Sequence, residues 1–238
     1  MASAKDIVIK PISAQAANAL VKRVHYSGKV VNNSTLHLGA FLNEKLEGVM
    51  SFGSPLDKRK VLPLVEGTQW NGMLELNRMA FSDLLPRNSE SRAMAVAFRL
   101  IKKHYPHIEW ILSFSDGTQC GDGAIYRASG FALTGLRKNT TIVTRPDGTI
   151  GSELSGGKYT GGTPITGSQL RYIYFLNPAA RQRLTVPVLP FSKIDEMGAG
   201  MYKGKPKRAK GLASGDHPDQ GGSTPTSTLQ SLGESNNG

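Results

Sequence analysis

The order in which hydrophobic periodicity changes along this chain constrains its fold more than any single segment does. Asp6 to Pro11 alternates as a strand, and Ser13 stands where a helix cap belongs. Ala14 to Val24 then sets Ala17, Leu20, Val21 and Val24 at helical spacing. After the polar break His25-Tyr26-Ser27-Gly28, Thr35 to Leu42 and Leu46 to Phe52 read as a hairpin around Asn43-Glu44-Lys45, closed by Gly53-Ser54-Pro55. A polar loop leads to the strand Met73 to Phe81, which carries Glu75, Asn77 and Arg78 inside an otherwise apolar run. Asn88-Ser89-Glu90-Ser91 starts a helix to about Tyr105, with Ala93, Ala97, Leu100 and Ile101 inward and Pro106 as its stop. Ile108 to Phe114 is a strongly apolar strand ending at Ser115-Asp116-Gly117, and a short helix follows from about Gly123 to Ser129. Ala132 to Leu136 and Ile142 to Thr144 are weaker strands, 151–168 reads as a Gly/Thr/Ser-rich surface loop, and Leu170 to Leu176 is a last alternating strand.

The order β-α-β-β-β-α-β-α-β-β is neither a doubly wound alternation nor an all-β pattern. An α/β chain with a mixed sheet and helices interleaved late is what remains. Residues 1–185 are expected to form one domain and 186–202 an irregular extension. The Gly, Pro, Ser, Thr, Asn and Lys of 203–238 cannot bury enough apolar surface to offset the entropy of ordering, so a disordered basic and polar tail is expected there.

That tail does not explain the charge. The chain carries +11, of which residues 203–238 hold +2 (five bases, three acids), leaving +9 on the body. A basic folded body is what meets phosphate, so nucleic acid is the partner to expect, against the plainer reading of a generically basic surface. One cysteine, Cys120, excludes an intrachain disulfide framework. The start of the chain shows no apolar signal region, and no run approaches the ~20 residues of a membrane span. A cytoplasmic protein with no membrane partner is expected; oligomeric state is not legible.

Two stretches carry candidate chemistry. Leu85-Pro86-Arg87-Asn88-Ser89-Glu90-Ser91-Arg92 feeds a strand into a helix whose first backbone N–H groups lack internal partners, a place for a phosphate or pyrophosphate. The plainer reading is that Asn88, Ser89 and Ser91 only cap the helix. The second stretch is Tyr126-Arg127-Ala128-Ser129-Gly130-Phe131, just after the buried strand.

Tyr-x-x-x-Gly-Phe on a helix after such a strand resembles the signature of the GNAT acyltransferase superfamily. The resemblance implies a sheet splayed around a cofactor cleft with helices on both faces. Acetyl-CoA or another acyl donor would lie in that cleft, its pyrophosphate on the main helix N-terminus. The usual Gly-rich pyrophosphate loop is absent, and Arg87 or Arg92 would supply charge in its place. More specifically, His25-Tyr26-Ser27, Leu74-Glu75-Leu76-Asn77-Arg78-Met79, Ser113-Phe114-Ser115-Asp116-Gly117 and Gly123-Ala124-Ile125-Tyr126 occur in the order of the Mom DNA-modification proteins of Mu-like phages. That family, a divergent GNAT branch, implies addition of a methylcarbamoyl (acetamido-type) group to adenine N6 in DNA, protecting phage DNA from host restriction.

The positions matching the family's important residues are His25, Tyr26, Arg78, Ser91, Asp116 and Tyr126. The resemblance suggests Asp116 as base or amine-orienting group, Tyr126 as general acid to the leaving group and Arg78 as electrostatic clamp. His25 and Tyr26 would meet an adenine flipped out of double-stranded DNA. Ser91, Ser89, Arg87 and Arg92 would face the donor. Each residue also has a structural reading: Asp116 in a turn, Arg78 in an ion pair with Glu75 or Asp83, His25 on a helix dipole, Tyr126 in packing. The family is associated with iron, yet the scattered histidines show no ligand spacing, and metal ligands stay unassigned. An ordinary N-acetyltransferase acting on a protein or small-molecule amine is the alternative activity, and a non-catalytic DNA-binding protein the third reading.

Overall fold

A computed structural model describes residues 2–25, 27–117, 123–148, 150–152, 154–155, 158–159, 161–198, 201–202 and 205–206. All of these fall in the first of two units, Met1–Lys207. The remaining residues of the expected tail, together with Tyr26 and Cys120, lie outside the described set.

The strands of the main sheet are β1 (Val8–Pro11), β2 (Ser34–Leu42), β3 (Lys45–Gly53), β4 (Met73–Phe81), β5 (Trp110–Asp116), β6 (Ala132–Thr144) and β7 (Ile150–Ser152), with small β8 (Leu154–Ser155) and β9 (Lys158–Tyr159) pairing apart from it. β10 (Thr163–Phe175) completes the main sheet. The sheet order is β1-β2-β3-β4-β5-β10-β6-β7, and every neighbouring pair is antiparallel except β4 with β5. Helices α1 (Ala14–Val24), α2 (Lys58–Val61), α3 (Ser89–His104), α4 (Ala124–Ala128) and α5 (Ser192–Glu196) complete the main elements. The mixed sheet inferred from periodicity is therefore present.

The local causes are simple. Ser13 Oγ accepts the N–H of Ala16 and starts α1, whose small apolar stripe Ala17, Leu20 and Val21 is buried. The β2–β3 turn holds Asn43 and Glu44 at φ of 48° and 65°, the paired positive values of a tight two-residue hairpin. α3 buries Ala93, Met94, Ala97, Phe98 and Ile101, and Phe98 stacks on Tyr174 of β10 with centroids 4.2 Å apart.

The two faces of the sheet are covered differently. Met50, Phe52, Leu76, Ile111, Leu133 and Leu170 face α3 and α4. On the opposite face α1 packs on Val49 and Ala80, while Leu64 and Val65 pack with Met73, Trp110 and Leu112. Helices thus lie on both faces, and alternation assigns each strand side chain to the α1 face or the α3 face.

Three readings change. The polar loop after Gly53 contains α2. The two weak strands at 132–144 are one continuous β6, held by the long β10 pairing rather than by local pattern. The 151–168 segment is not all loop: β10 begins at Thr163, and β7 reaches Ser152. Beyond β10, Leu189 N–H donates to Leu133 O, and α5 seats a fully buried Ile194. A short ladder joins Met201–Tyr202 to Lys205–Pro206.

Candidate active site

The parallel pair makes the opening. β4 and β5 pair only from Met73/Trp110 to Leu76/Ser113, yet β4 continues to Phe81 and β5 to Asp116. Two parallel strands that stop bonding while both continue must part, and the gap faces the loop into α3. Past Leu76, β4 is bonded on its β3 side alone, with a bulge between the Ser51/Arg78 and Phe52/Leu76 pairs. A bulge adds one residue and resets the facing of the residues beyond it. Here it leaves Asn77 in the extra position and brings Arg78 level with Ser51 on the α1 face.

His25 is the C-cap residue of α1, its N–H donating to Val21 O. Its Nδ1 sits 2.8 Å from Ser27 Oγ and accepts the Ser27 N–H at 3.1 Å; on the other side of the ring, Arg78 Nη1 stands 3.5 Å from Nε2. A ring that accepts a backbone N–H is unprotonated. Burial first, and the Arg78 charge second, push its pKa down to about 4.

Asp116, the last residue of β5, pairs with Gln169 of β10 and is half-buried. Alternation places it on the face of Trp110, Leu112 and Phe114, the α1 face that also carries His25 and Arg78. Tyr126 lies on the other face. It is 8% exposed, stacks on Tyr172 at 4.2 Å and 6°, meets Phe131 edge-on, and its hydroxyl accepts from Ser113 Oγ at 3.1 Å. The structure therefore brings His25 and Arg78 together, sets Asp116 on their side, and holds Tyr126 across the sheet. The β4–β5 pairing that lies between the two sets ends at Leu76/Ser113.

Gly123, just before α4, has a φ of +69°, and a Cβ there would collide with the Tyr172 hydroxyl. Only glycine lets the chain turn this close to the ring on which Tyr126 stacks.

At the start of α3, Asn88 has a left-handed φ of 69° and its side chain makes no capping bond. The hydroxyls of Ser89 and Ser91 donate backward, to Pro86 O at 2.6 Å and Asn88 O at 3.1 Å. Ser89 is fully buried, whereas Arg87 and Arg92 are exposed. The end of a sixteen-residue helix with no side-chain cap and two exposed guanidiniums beside it fits an anionic group.

Sequence reasoning missed Glu75. It is more than half enclosed, bonded to Asn77, and burial outweighs the opposing influence of Asn77 and Arg78, pushing its pKa up to about 7. Asn77 Oδ1 in turn accepts from Ser34 Oγ at 3.1 Å. Polar letters in an apolar strand were the available signal. Ser113 and Ser115 are also buried near the opening, and Ser115 Oγ has no hydrogen-bond partner among the described residues. Among the described residues no three His, Cys, Asp or Glu side chains are grouped to hold a metal, so iron finds no support there. No helix of the described residues is long and apolar enough to cross a membrane.

One parallel pair in an otherwise antiparallel mixed sheet, with helices on both faces, is the GNAT-like fold expected from the sequence. The chain belongs to the Mom protein family, whose model it matches over residues 6–193. It is 36% identical over 206 residues to the methylcarbamoylase mom of Escherichia phage Mu, covering 79% of this chain and 85% of that protein. Among solved structures it is similar to a GNAT family acetyltransferase from Elizabethkingia anophelis with acetyl-CoA bound: 16% identity, 71% of this chain, 98% of that one, TM-score 0.45. A Drosophila melanogaster polyamine N-acetyltransferase gives 9% identity, 71% and 100% coverage, and a TM-score of 0.46.

Proposed function

We propose that this chain adds a methylcarbamoyl-type group to N6 of adenine in double-stranded DNA and so shields phage DNA from host restriction. The observation that carries the reading is the 36% identity to a methylcarbamoylase over most of both chains. A body charge of +9 supports DNA as the substrate, because duplex binding is dominated by phosphate.

Adenine N6 is a weak nucleophile, its lone pair drawn into the ring, and inside a duplex it is hydrogen-bonded. The base is flipped out and enters from the α1 face, where His25 borders the acceptor; Tyr26, outside the described residues, is the second residue expected to meet the base. Arg78 supplies fixed positive charge toward the reacting atoms. Asp116 acts as base or orients the amine, and Tyr126, reached through the opening, protonates the leaving group. A donor of the acyl-CoA class would rest its phosphates on the start of α3, with Arg87 and Arg92 as charge partners and Ser89 and Ser91 shaping the turn. When bound, such a donor supplies an activated carbon and a thiol leaving group.

DNA from cells expressing the protein is expected to resist adenine-sensitive restriction enzymes, while DNA from cells without it is cut. Full digestion of both, at equal protein expression, would falsify the reading.

A further inference from the structure

Glu75 is a carboxylate to which the proposed reaction gives no task. It stands opposite Leu112 in the parallel pairing, one residue before that pairing ends, and its β3 partner is Gly53, whose side-chain position is filled by the Asn33 and Ser34 backbone. It shares the α1 face with Arg78 and, by alternation, with Asp116. Asn77, placed by the bulge, bonds it and is itself tied to Ser34, so the carboxyl is held rather than swinging. The titratable and charged groups on this face are Arg78 on its own strand, His25 from the end of α1, His37 from β2 and Asp116 from β5; of these Arg78 alone acts on its charge.

A structural carboxylate in such a place would be paired, because a buried charge costs several kcal/mol unless compensated. Burial instead prevails over both stabilising neighbours, and the group titrates at about 7 rather than 4.5. That is the range in which a carboxylate works as a base at neutral pH.

We propose that Glu75 is the catalytic base, receiving the proton that leaves adenine N6 during transfer. This rests on the reading of the chain as a DNA adenine-modifying enzyme. One N6–H bond breaks as the nitrogen forms its new bond to the donor carbon that bears the methylcarbamoyl-type group, and the bond from that carbon to a thiol-class leaving group breaks. The proton passes to the Glu75 carboxylate. The thiolate leaves with the electron pair of its former bond and takes a proton from Tyr126. Asp116 is left to orient the amine.

The test uses clarified lysate of cells expressing the full chain, which contains whatever donor the cell supplies. Unmodified plasmid DNA is added between pH 5.5 and 8.5, and modified adenine is counted by nucleoside mass spectrometry. For the wild type the initial rate is expected to climb about tenfold per pH unit below about 7 and then level. Glu75→Gln is expected to lose 100-fold or more and to lack that limb, with duplex affinity kept and melting temperature not lowered. Glu75→Asp, which retains a carboxylate, keeps a limb at a lower plateau, and it decides the matter should the glutamine variant not fold. A Glu75→Gln rate within threefold of wild type, or a wild-type limb that survives loss of the carboxylate, overturns the assignment and leaves the functional reading standing. A wild-type lysate that makes no modified adenine overturns the functional reading itself.

Discussion

Arg78 Nη1 approaches His25 Nε2 to 3.5 Å, joining the central strand of the sheet to the last turn of the first helix. Those residues are 53 positions apart, and the approach depends on the β4 bulge that aims Arg78 at the α1 face. It fixes a neutral imidazole beside a permanent cation, on the side where an acceptor would enter.

His25 and Glu75 link stability to proton binding in opposite directions. Between pH 4.5 and 6.5 the unfolded chain carries a protonated His25 and an ionised Glu75, and the folded chain the reverse. Folding releases a proton at one residue and takes one up at the other, so their contributions to the pH slope of stability cancel. Glu75→Gln leaves the His25 part, and stability is expected to rise more steeply with pH than in wild type from about 4 to 6.5. His25→Gln leaves the Glu75 part, and stability is expected to fall, relative to wild type, from 4.5 to about 7. Urea midpoints at pH 5 and 7 for the three proteins check both signs; slopes unchanged in both variants contradict them.

Tyr126 separates packing from chemistry. Tyr126→Phe keeps the ring on Tyr172 and loses the Ser113 bond, which is expected to cost about 1 kcal/mol of stability. Adenine modification is expected to drop by ~100-fold or more, the worth of a general acid. Thermal melting and nucleoside mass spectrometry on the same variant decide it. Full activity would return the hydroxyl to a structural role.

Gly123→Ala is expected to damage both properties together. The added methyl meets the Tyr172 hydroxyl, and the residue must keep a left-handed φ of +69°. A loss of about 1–3 kcal/mol is expected, from strain and overpacking, with modification reduced because the Tyr126–Tyr172 stack shifts. Melting temperature reads the first effect and DNA from expressing cells the second.

The fold was largely legible, because α1, α3 and the early hairpin bury residues that repeat at helical or strand spacing. Ala17, Leu20 and Val21 could be placed from spacing alone, and they are buried. The length of β6 was not legible, since Gly135, Arg137, Lys138 and Asn139 carry no strand pattern and are ordered by thirteen residues of β10. Which polar residue of β4 matters was equally hidden. Glu75, Asn77 and Arg78 are three letters in a row of nine until pairing with β3 and β5 decides their faces, and both partners are distant in sequence. Spacing could nominate Arg78; only tertiary structure shows that Glu75 is enclosed.

Charge at the start of α3 can be removed without touching the core. Arg87→Ala with Arg92→Ala is expected to weaken binding of coenzyme A by about thirtyfold, as each guanidinium contributes on the order of 1 kcal/mol toward a phosphate. Both side chains are exposed, so melting should stay within a degree or two. Isothermal titration of wild type and double variant with coenzyme A gives the answer. Equal affinities would move the donor away from this helix.

The most direct measurement is a nucleoside mass spectrum of DNA from cells expressing the intact chain. A methylcarbamoyl-type deoxyadenosine is expected, absent when Tyr126→Phe replaces the wild type. Deoxyadenosine carrying no such group, in cells where the folded protein is abundant, contradicts the assignment of this chain as a DNA adenine-modifying enzyme.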